Sequence, residues 1–279
     1  MRGSTIQRFV RPGLFMFLAA AVLAFSGCAP IAPSGAGGET SSGTDGGEVA
    51  PDGAAYAGPV TEIAIRRLNE GQDVAGFAAA RDAFVATLTA EPGVGTDREF
   101  EAILDGATFA PPAGPVFTGM TQYDSLDAFA AAGQKLGASP EAGAFFSTFE
   151  PLLFTALRPK DPADSYDLTE ILSEPGQILE IAARDLSMYE QFNRDDYDAR
   201  LADFLDVLSQ QPGFVAEYQW VSVLDPNLVV GMTVYESLDA FAAIAQDQEF
   251  VGQIMPFIND YPPFTGYIHS DARGTGVND

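Results

Sequence analysis

The sequence has 279 residues, with 39 acidic against 14 basic side chains and a formal net charge of −25 at neutral pH. A surface of that sign repels nucleic acid and anionic lipid headgroups, so neither is expected as a partner on charge. A single cysteine excludes an internal disulfide, and a single histidine beside it excludes a metal site built from nitrogen and sulfur ligands.

The chain opens with Arg2, Arg8 and Arg11, followed by an apolar run from Gly13 to Phe25. The run has the length of a signal-peptide core and is short for a membrane span. It ends in Phe25-Ser26-Gly27-Cys28-Ala29, which resembles a bacterial lipobox, with Phe25 standing where leucine is usual. That resemblance implies cleavage after residue 27 and lipid on Cys28, with each buried methylene contributing about 0.8 kcal/mol of anchoring. The expected location is the cell envelope, at the periplasmic face of the outer membrane if the cell has one, because Ala29 rather than aspartate follows the cysteine. Residues 28–58 are rich in Gly, Ser, Thr, Pro and Ala, bury too little to fold, and read as a disordered tether.

Beyond the tether, one stretch occurs twice. Gly119-Met120-Thr121-Gln122-Tyr123-Asp124-Ser125-Leu126-Asp127-Ala128-Phe129-Ala130-Ala131 returns at residues 231–243, changed only at Val234 and Glu236. Each copy reads as the end of a strand, a corner, and a helix capped by Ser125 or Ser237. The segments around the copies correspond. Thr61–Leu68 and Leu179–Leu186 alternate as half-buried strands. Phe77, Phe84, Val85 and Leu88, and likewise Tyr197, Leu201, Phe204, Leu205 and Leu208, form apolar helical stripes. Pro92-Gly93 and Pro212-Gly213 stop those helices. Second strands follow at about Arg98–Leu104 and at Phe214–Leu224, and closing strands at Leu153–Leu157 and Pro263–His269.

The order strand, helix, strand, strand, helix, strand, given twice, is the split βαβ or ferredoxin-like unit. The expected fold is therefore α+β, with two tandem ferredoxin-like repeats packed sheet to sheet as an intrachain dimeric α/β barrel, which makes the chain a monomer. The boundaries are a signal peptide at 1–27, the tether at 28–58, repeat 1 at 59–158, a linker at 159–176, repeat 2 at 177–269 and a disordered tail at 270–279.

Pro212-Gly213-Phe214, Asp225-Pro226-Asn227 and Val234-Tyr235-Glu236-Ser237-Leu238-Asp239-Ala240 resemble the antibiotic-biosynthesis-monooxygenase-like group of dimeric α/β barrels. The likeness covers residues 178–269 directly and 60–158 through the repeat. It implies the barrel, and it brings to mind cofactor-independent quinol or polyketide oxygenases and haem-degrading oxygenases. Haem-binding relatives use a histidine ligand. Here the one histidine, His269, reads as a surface or capping residue, so no cofactor and no metal are expected.

The candidate site lies on the opening strands. Glu62, Ala64 and Arg66, and Glu180, Ala182 and Arg184, share one face of each strand, while Ile63 and Ile65, or Leu179 and Ile181, take the other. If helices cover the isoleucine face, the Glu/Arg face points into the barrel, either as structural bridges or as the lining of a cavity that holds an anionic or carbonyl-bearing ligand. On the second strand of the second repeat, Tyr218 and Trp220 share one face and Glu217 and Gln219 the other, and either pair is placed to line that cavity. The site expected is Glu62, Arg66, Glu180, Arg184, Tyr218 and Trp220. The leading functional reading is a lipid-anchored, non-catalytic module that binds a small molecule or a partner. The alternative is a cofactor-independent monooxygenase for a phenolic or quinol substrate, and the third reading is a purely structural envelope lipoprotein.

Overall fold

The computed structural model of the protein describes Tyr56, residues 58–190 and residues 192–271. The expected signal peptide, Cys28 and the tether up to residue 55 lie outside the described residues. Among the described residues no helix is long and apolar enough to cross a membrane.

Strand β1 (Val60–Leu68) leads into helix α1 (Val74–Leu88), then β2 (Val94–Asp105), β3 (Val116–Tyr123), α2 (Leu126–Leu136), α3 (Pro140–Phe146) and β4 (Phe149–Pro159). The second half gives β5 (Ile178–Asp185), α4 (Arg194–Ser209), β6 (Phe214–Ser222), β7 (Leu228–Tyr235), α5 (Leu238–Gln246), α6 (Gln248–Asp260) and β8 (Thr265–Asp271). The strands close into an antiparallel barrel in the order β1-β3-β2-β8-β5-β7-β6-β4. The fold is thus α+β, an eight-stranded barrel with six α-helices among the described residues. Pairing between the halves runs through β2 with β8 and through the short ladder of β4 with β6.

Local chemistry sets the corners. Ser125 Oγ accepts a hydrogen bond from Ala128 N, and Ser237 Oγ from Ala240 N, each at 3.1 Å, so both copies of the repeated stretch cap a helix as expected. The helix before each second strand ends at a glycine in the left-handed region, Gly93 at φ 78° and Gly213 at φ 88°. A side chain at Gly93 would come within 2.8 Å of Ala128 Cβ, and one at Gly213 within 2.5 Å of Ala240 Cβ. The Pro-Gly stop and the Ala of the repeated helix are therefore two sides of one contact.

Two features differ from the sequence expectation. A second helix, α3 or α6, precedes each closing strand. Ser139 caps α3 with Pro140 at its first turn, a start signal present in the sequence, whereas Pro256 inside α6 masks the helical pattern there. Strand β8 also runs through Asp271, past the expected start of the tail.

The space enclosed by the strands is filled. Ile63, Ile65, Phe100, Met120, Leu157, Leu179, Ile181, Trp220, Val230 and Met232 form its core. The connection between the halves contributes Leu168, Ile171 and Leu172 to the same core, with one 3-10 turn at Leu168–Glu170. Tyr166 stands edge-on against Tyr218 and Trp220, with ring centroids 5.1 Å and 4.8 Å away. The helices pack on the outer face of the barrel in separate apolar clusters.

Candidate active sites beneath the helices

Period-two alternation divides β1 as the sequence requires, but the faces are reversed with respect to the expectation. Ile63 and Ile65 are fully buried inside the barrel, and Glu62, Ala64 and Arg66 face the helices. The same holds for Leu179 and Ile181 against Glu180 and Arg184. The physical reason is desolvation. Inside a closed barrel a charge needs fixed partners, as Arg98 has in the Leu168 carbonyl and Asp271, whereas helices cover the outer face of a sheet incompletely.

In the first half, Tyr123 Oη donates to Glu62 Oε2 at 2.8 Å, and Thr121 Oγ1 donates to Asp97 Oδ2 at 2.8 Å. Arg66 Nη2 donates to both oxygens of Glu99, at 2.9 Å and 2.8 Å. The guanidinium lies 5.1–5.7 Å from the ring centroids of Phe77, Phe145 and Phe149. It crosses the strand at Gly119, where a side chain would collide with Arg66 Nη2. Burial pushes the Glu62 carboxyl up to about 7, with the Tyr123 hydrogen bond and the Arg66 charge opposing. Glu62 nevertheless keeps part of its surface accessible, and it borders a cavity of about 20 Å³, room for a single water. Phe84, Leu88 and Phe145 cover that cavity.

The second half repeats this layer by register. Thr121 faces Asp97 and Gly119 faces Glu99 across β2 and β3, and Thr233 faces Glu217 and Gly231 faces Gln219 across β6 and β7. Tyr235 Oη donates to Glu180 Oε2 at 2.8 Å. Glu217 accepts from Thr233 Oγ1 and from Gln219 Nε2. Gln219 stands where the first half has Glu99, so Arg184 finds no carboxylate at that position. Its Nε donates instead to the Tyr261 carbonyl at 2.7 Å, above the Phe257 ring. Burial pushes the Glu217 carboxyl up to about 8, against the Thr233 and Gln219 hydrogen bonds. Burial raises Glu180 as well, and burial beside Glu180 raises the Tyr235 phenol.

Of the six expected site residues, the structure brings Glu62 and Arg66 into one site and Glu180 and Arg184 into another. Tyr218 and Trp220 belong to neither. They lie inside the barrel, opposite Met232 and Val230, and the sheet separates them from the carboxyls. Glu217 and Gln219, the other face of the same strand, are the pair that joins the site. The sequence reading missed Thr121, Tyr123, Thr233 and Tyr235. Their signal was the repeated Gly-Met-Thr-x-Tyr, in which the glycine gives room, the methionine packs the barrel, and the threonine and tyrosine hold acids.

His269 is corrected too. It is a core residue, neither at the surface nor a cap. Its Nε2 lies 2.8 Å from Thr118 Oγ1 and its Nδ1 3.3 Å from the Leu179 carbonyl. Burial lowers it to about 4, which keeps the ring neutral. Among the described residues no group of three or more His, Cys, Asp or Glu is placed to hold a metal ion.

No family model and no curated protein matches the chain. Solved structures do. A candidate monooxygenase of Fusobacterium nucleatum is 12% identical, with 77% of this chain and 91% of that chain covered at a TM-score of 0.48. A chlorite dismutase variant of Candidatus Nitrospira defluvii is 8% identical, with 77% and 92% covered at 0.48. The cofactor-independent oxygenase SnoaB of Streptomyces nogalater is 14% identical, with 34% and 92% covered at 0.30. At these identities the likeness is one of fold. Those proteins are described as a monooxygenase, a chlorite dismutase and a cofactor-independent oxygenase, and the expectation of a non-catalytic module is withdrawn.

Proposed function

We propose that the protein is a cofactor-independent oxygenase that acts on a phenolic or quinol substrate at the helix-covered face of the sheet. One observation carries the reading: each half holds buried carboxyls, Glu62 in one and Glu217 in the other, raised to about 7 and about 8 and fixed by hydroxyl donors. A carboxyl near neutrality can remove a phenolic proton, and an apolar cover favours electron transfer from the resulting phenolate to oxygen. The balance needs no external reductant. A phenol and one O₂ give a quinone and one water, and a quinol and one O₂ give a hydroxyquinone and one water, with the substrate supplying all four electrons. The first-half cavity has room for a water and not for a phenol, so a substrate enters as the covering helices part from the sheet.

Oxygen uptake by residues 56–279 with 1-naphthol, 1,4-dihydroxynaphthalene and 1,8-dihydroxyanthrone tests the reading. The expected result is uptake above autoxidation, with one atom from ¹⁸O₂ in the quinone. Autoxidation rates across the whole panel would sink it.

The two halves are, in the same proposal, tandem ferredoxin-like units, so that one chain makes the barrel that two chains make elsewhere. The repeated stretch and the matching registers of β2 with β3 and β6 with β7 support this. The protein is further proposed to be exported as a monomer and held to the envelope by lipid on Cys28. Arg2, Arg8, Arg11 and the apolar run before Cys28 support that location. Cys28→Ser should move it from the membrane fraction to the soluble fraction, and unchanged fractionation would refute the anchor.

A further inference from the structure

The two polar layers correspond position by position, yet they are not in the same state. In the first half the layer is closed by charge. Arg66 spends one nitrogen on both oxygens of Glu99, and both side chains are nearly inaccessible, at 5% and 2% exposed. Asp97, Glu99, Gly119 and Thr121 are all buried. Three phenylalanines close around the guanidinium. Pulling this pair apart to admit a ligand would leave a buried charge alone, which is strongly unfavourable.

In the second half that lock is missing. Gln219 replaces the carboxylate, and Arg184 is turned to the Tyr261 carbonyl. Glu217, Gln219 and Gly231 each keep part of their surface accessible, where Asp97, Glu99 and Gly119 do not. Glu217 is held only by neutral donors, the Thr233 hydroxyl and the Gln219 amide. The ionisable groups that act on it electrostatically are Glu180 and Arg184 on β5, and it acts in turn on Tyr235 of β7 and on Tyr166 of the connection. Among the described residues a carboxylate formed there has no salt-bridge partner, so a substrate proton is its natural complement.

We infer that the second half is the working site of the oxygenase, with Glu217 as the base that takes the substrate's phenolic proton, and that the first half is a closed structural copy. The inference rests on the oxygenase reading. In the step, the O–H bond of the phenol breaks, Glu217 Oε gains the proton, and the phenolate keeps the electron pair. The positive charge of Arg184 lies close enough to act on the same carboxyl and favours the anion on either partner. Glu180, fixed by Tyr235, is a positioning residue, since its charge raises Glu217.

The test has two arms on residues 56–279. In the first, oxygen uptake with 1,8-dihydroxyanthrone is measured for Glu217→Gln, Glu62→Gln and Thr233→Val. Glu217→Gln should lower kcat by about 10²–10⁴-fold with little change in KM, the span of a lost general base. Glu62→Gln should lower kcat by less than Glu217→Gln does. Thr233→Val removes a hydrogen bond that lowers the Glu217 pKa, so the alkaline-rising limb of kcat should move to higher pH. In the second arm, amide chemical shifts are followed on addition of 1-naphthol. Shifts centred on Gly231 and Thr233 are expected. Shifts centred on Gly119 and Thr121, or a large kcat loss in Glu62→Gln alone, would overturn the assignment and leave the oxygenase reading standing. No turnover with shifts at Gly231 would refute the oxygenase and keep the second half as the binding half. Neither turnover nor shifts would refute both.

Discussion

The inside of the barrel and the layer beneath the helices are built from the same strands, one residue apart. Inside, Ile63, Ile65, Leu179 and Ile181 pack against methionine, tryptophan and valine, and the few polar groups close on each other. Thr118 pairs with His269, Thr155 with Ser222, and the one charged side chain described there, Arg98, with the Leu168 carbonyl and Asp271. Outside, Glu62, Arg66, Asp97, Glu99, Glu180 and Glu217 carry the charge, and several of them retain access to solvent. The difference teaches which cover tolerates ionisable groups. Two sheets facing each other exclude water from both sides, while a helix laid on a sheet leaves gaps between its side chains. A titratable group can change charge in those gaps, and chemistry can be placed there.

The largest break in that comparison should come from Arg66→Met, which makes one outer position resemble the interior. It strands Glu99 without its cation, and a loss of about 3–5 kcal/mol is expected in denaturant unfolding. Arg184→Met loses a hydrogen bond to a carbonyl and no salt bridge, so its cost should be smaller, about 1–3 kcal/mol. Equal losses in the two variants would mean that the first-half pair is not the lock described above.

The two regions should also pull stability in opposite directions with pH. His269 has a folded-state pKa lowered to about 4 from 6.5, so between those values the unfolded chain binds the extra proton. Its contribution therefore rises with pH across that window, and acidification from 6.5 to 4 removes about 3 kcal/mol of it. Glu62 and Glu217 are raised to about 7 and about 8 from 4.5, so there the folded chain binds the extra proton. Their contribution is present below pH 4.5 and is lost as pH rises through 7 and 8. Unfolding followed from pH 4 to 9 should show greatest stability near pH 4.5 and a fall toward pH 8, because above 4.5 two acids outweigh one histidine. His269→Gln should steepen the fall between pH 4.5 and 6.5, and Glu62→Gln with Glu217→Gln should turn it into a rise. Slopes unchanged in those variants would contradict both placements.

A smaller effect separates the two glycines. Gly119→Ala drives a methyl into the guanidinium of a fixed ion pair and should cost about 1–3 kcal/mol. Gly231→Ala meets only the ends of Gln219 and Glu217, at 3.0 Å and 3.4 Å, which can shift, and should cost less. Smallest of all, and equal in the two halves, should be Ser125→Ala and Ser237→Ala, at about 1 kcal/mol each for a lost helix cap. Unequal cap losses, read as midpoint shifts, would show that the repeated corners are not equivalent.

Much of this organisation was legible from particular residues. The duplicated Gly-to-Ala stretch marked two strand-to-helix corners, Ser125 and Ser237 marked helix starts, and Pro92-Gly93 and Pro212-Gly213 marked helix ends. These signals are local, because a cap or a left-handed glycine needs only its neighbours. Alternation likewise split Glu62 and Arg66 from Ile63 and Ile65, and Tyr218 and Trp220 from Glu217 and Gln219. Helix α6 was hidden because Pro256 interrupts its pattern. The partners of the acids were hidden because Tyr123 lies 61 residues from Glu62 and Tyr235 lies 55 from Glu180.

By itself, then, the sequence determined that each strand has a charged face and an apolar face, that the pattern occurs twice, and where the helices begin. Only the tertiary structure decided which face is inside. Closing eight strands creates a volume bounded by backbone, and a charge there loses its hydration unless fixed partners replace it, as they do for Arg98. The apolar face is taken in, most of the charged face is left to the helices, and a difference as small as Glu99 against Gln219 then decides which of the two polar layers holds an Arg–Glu pair.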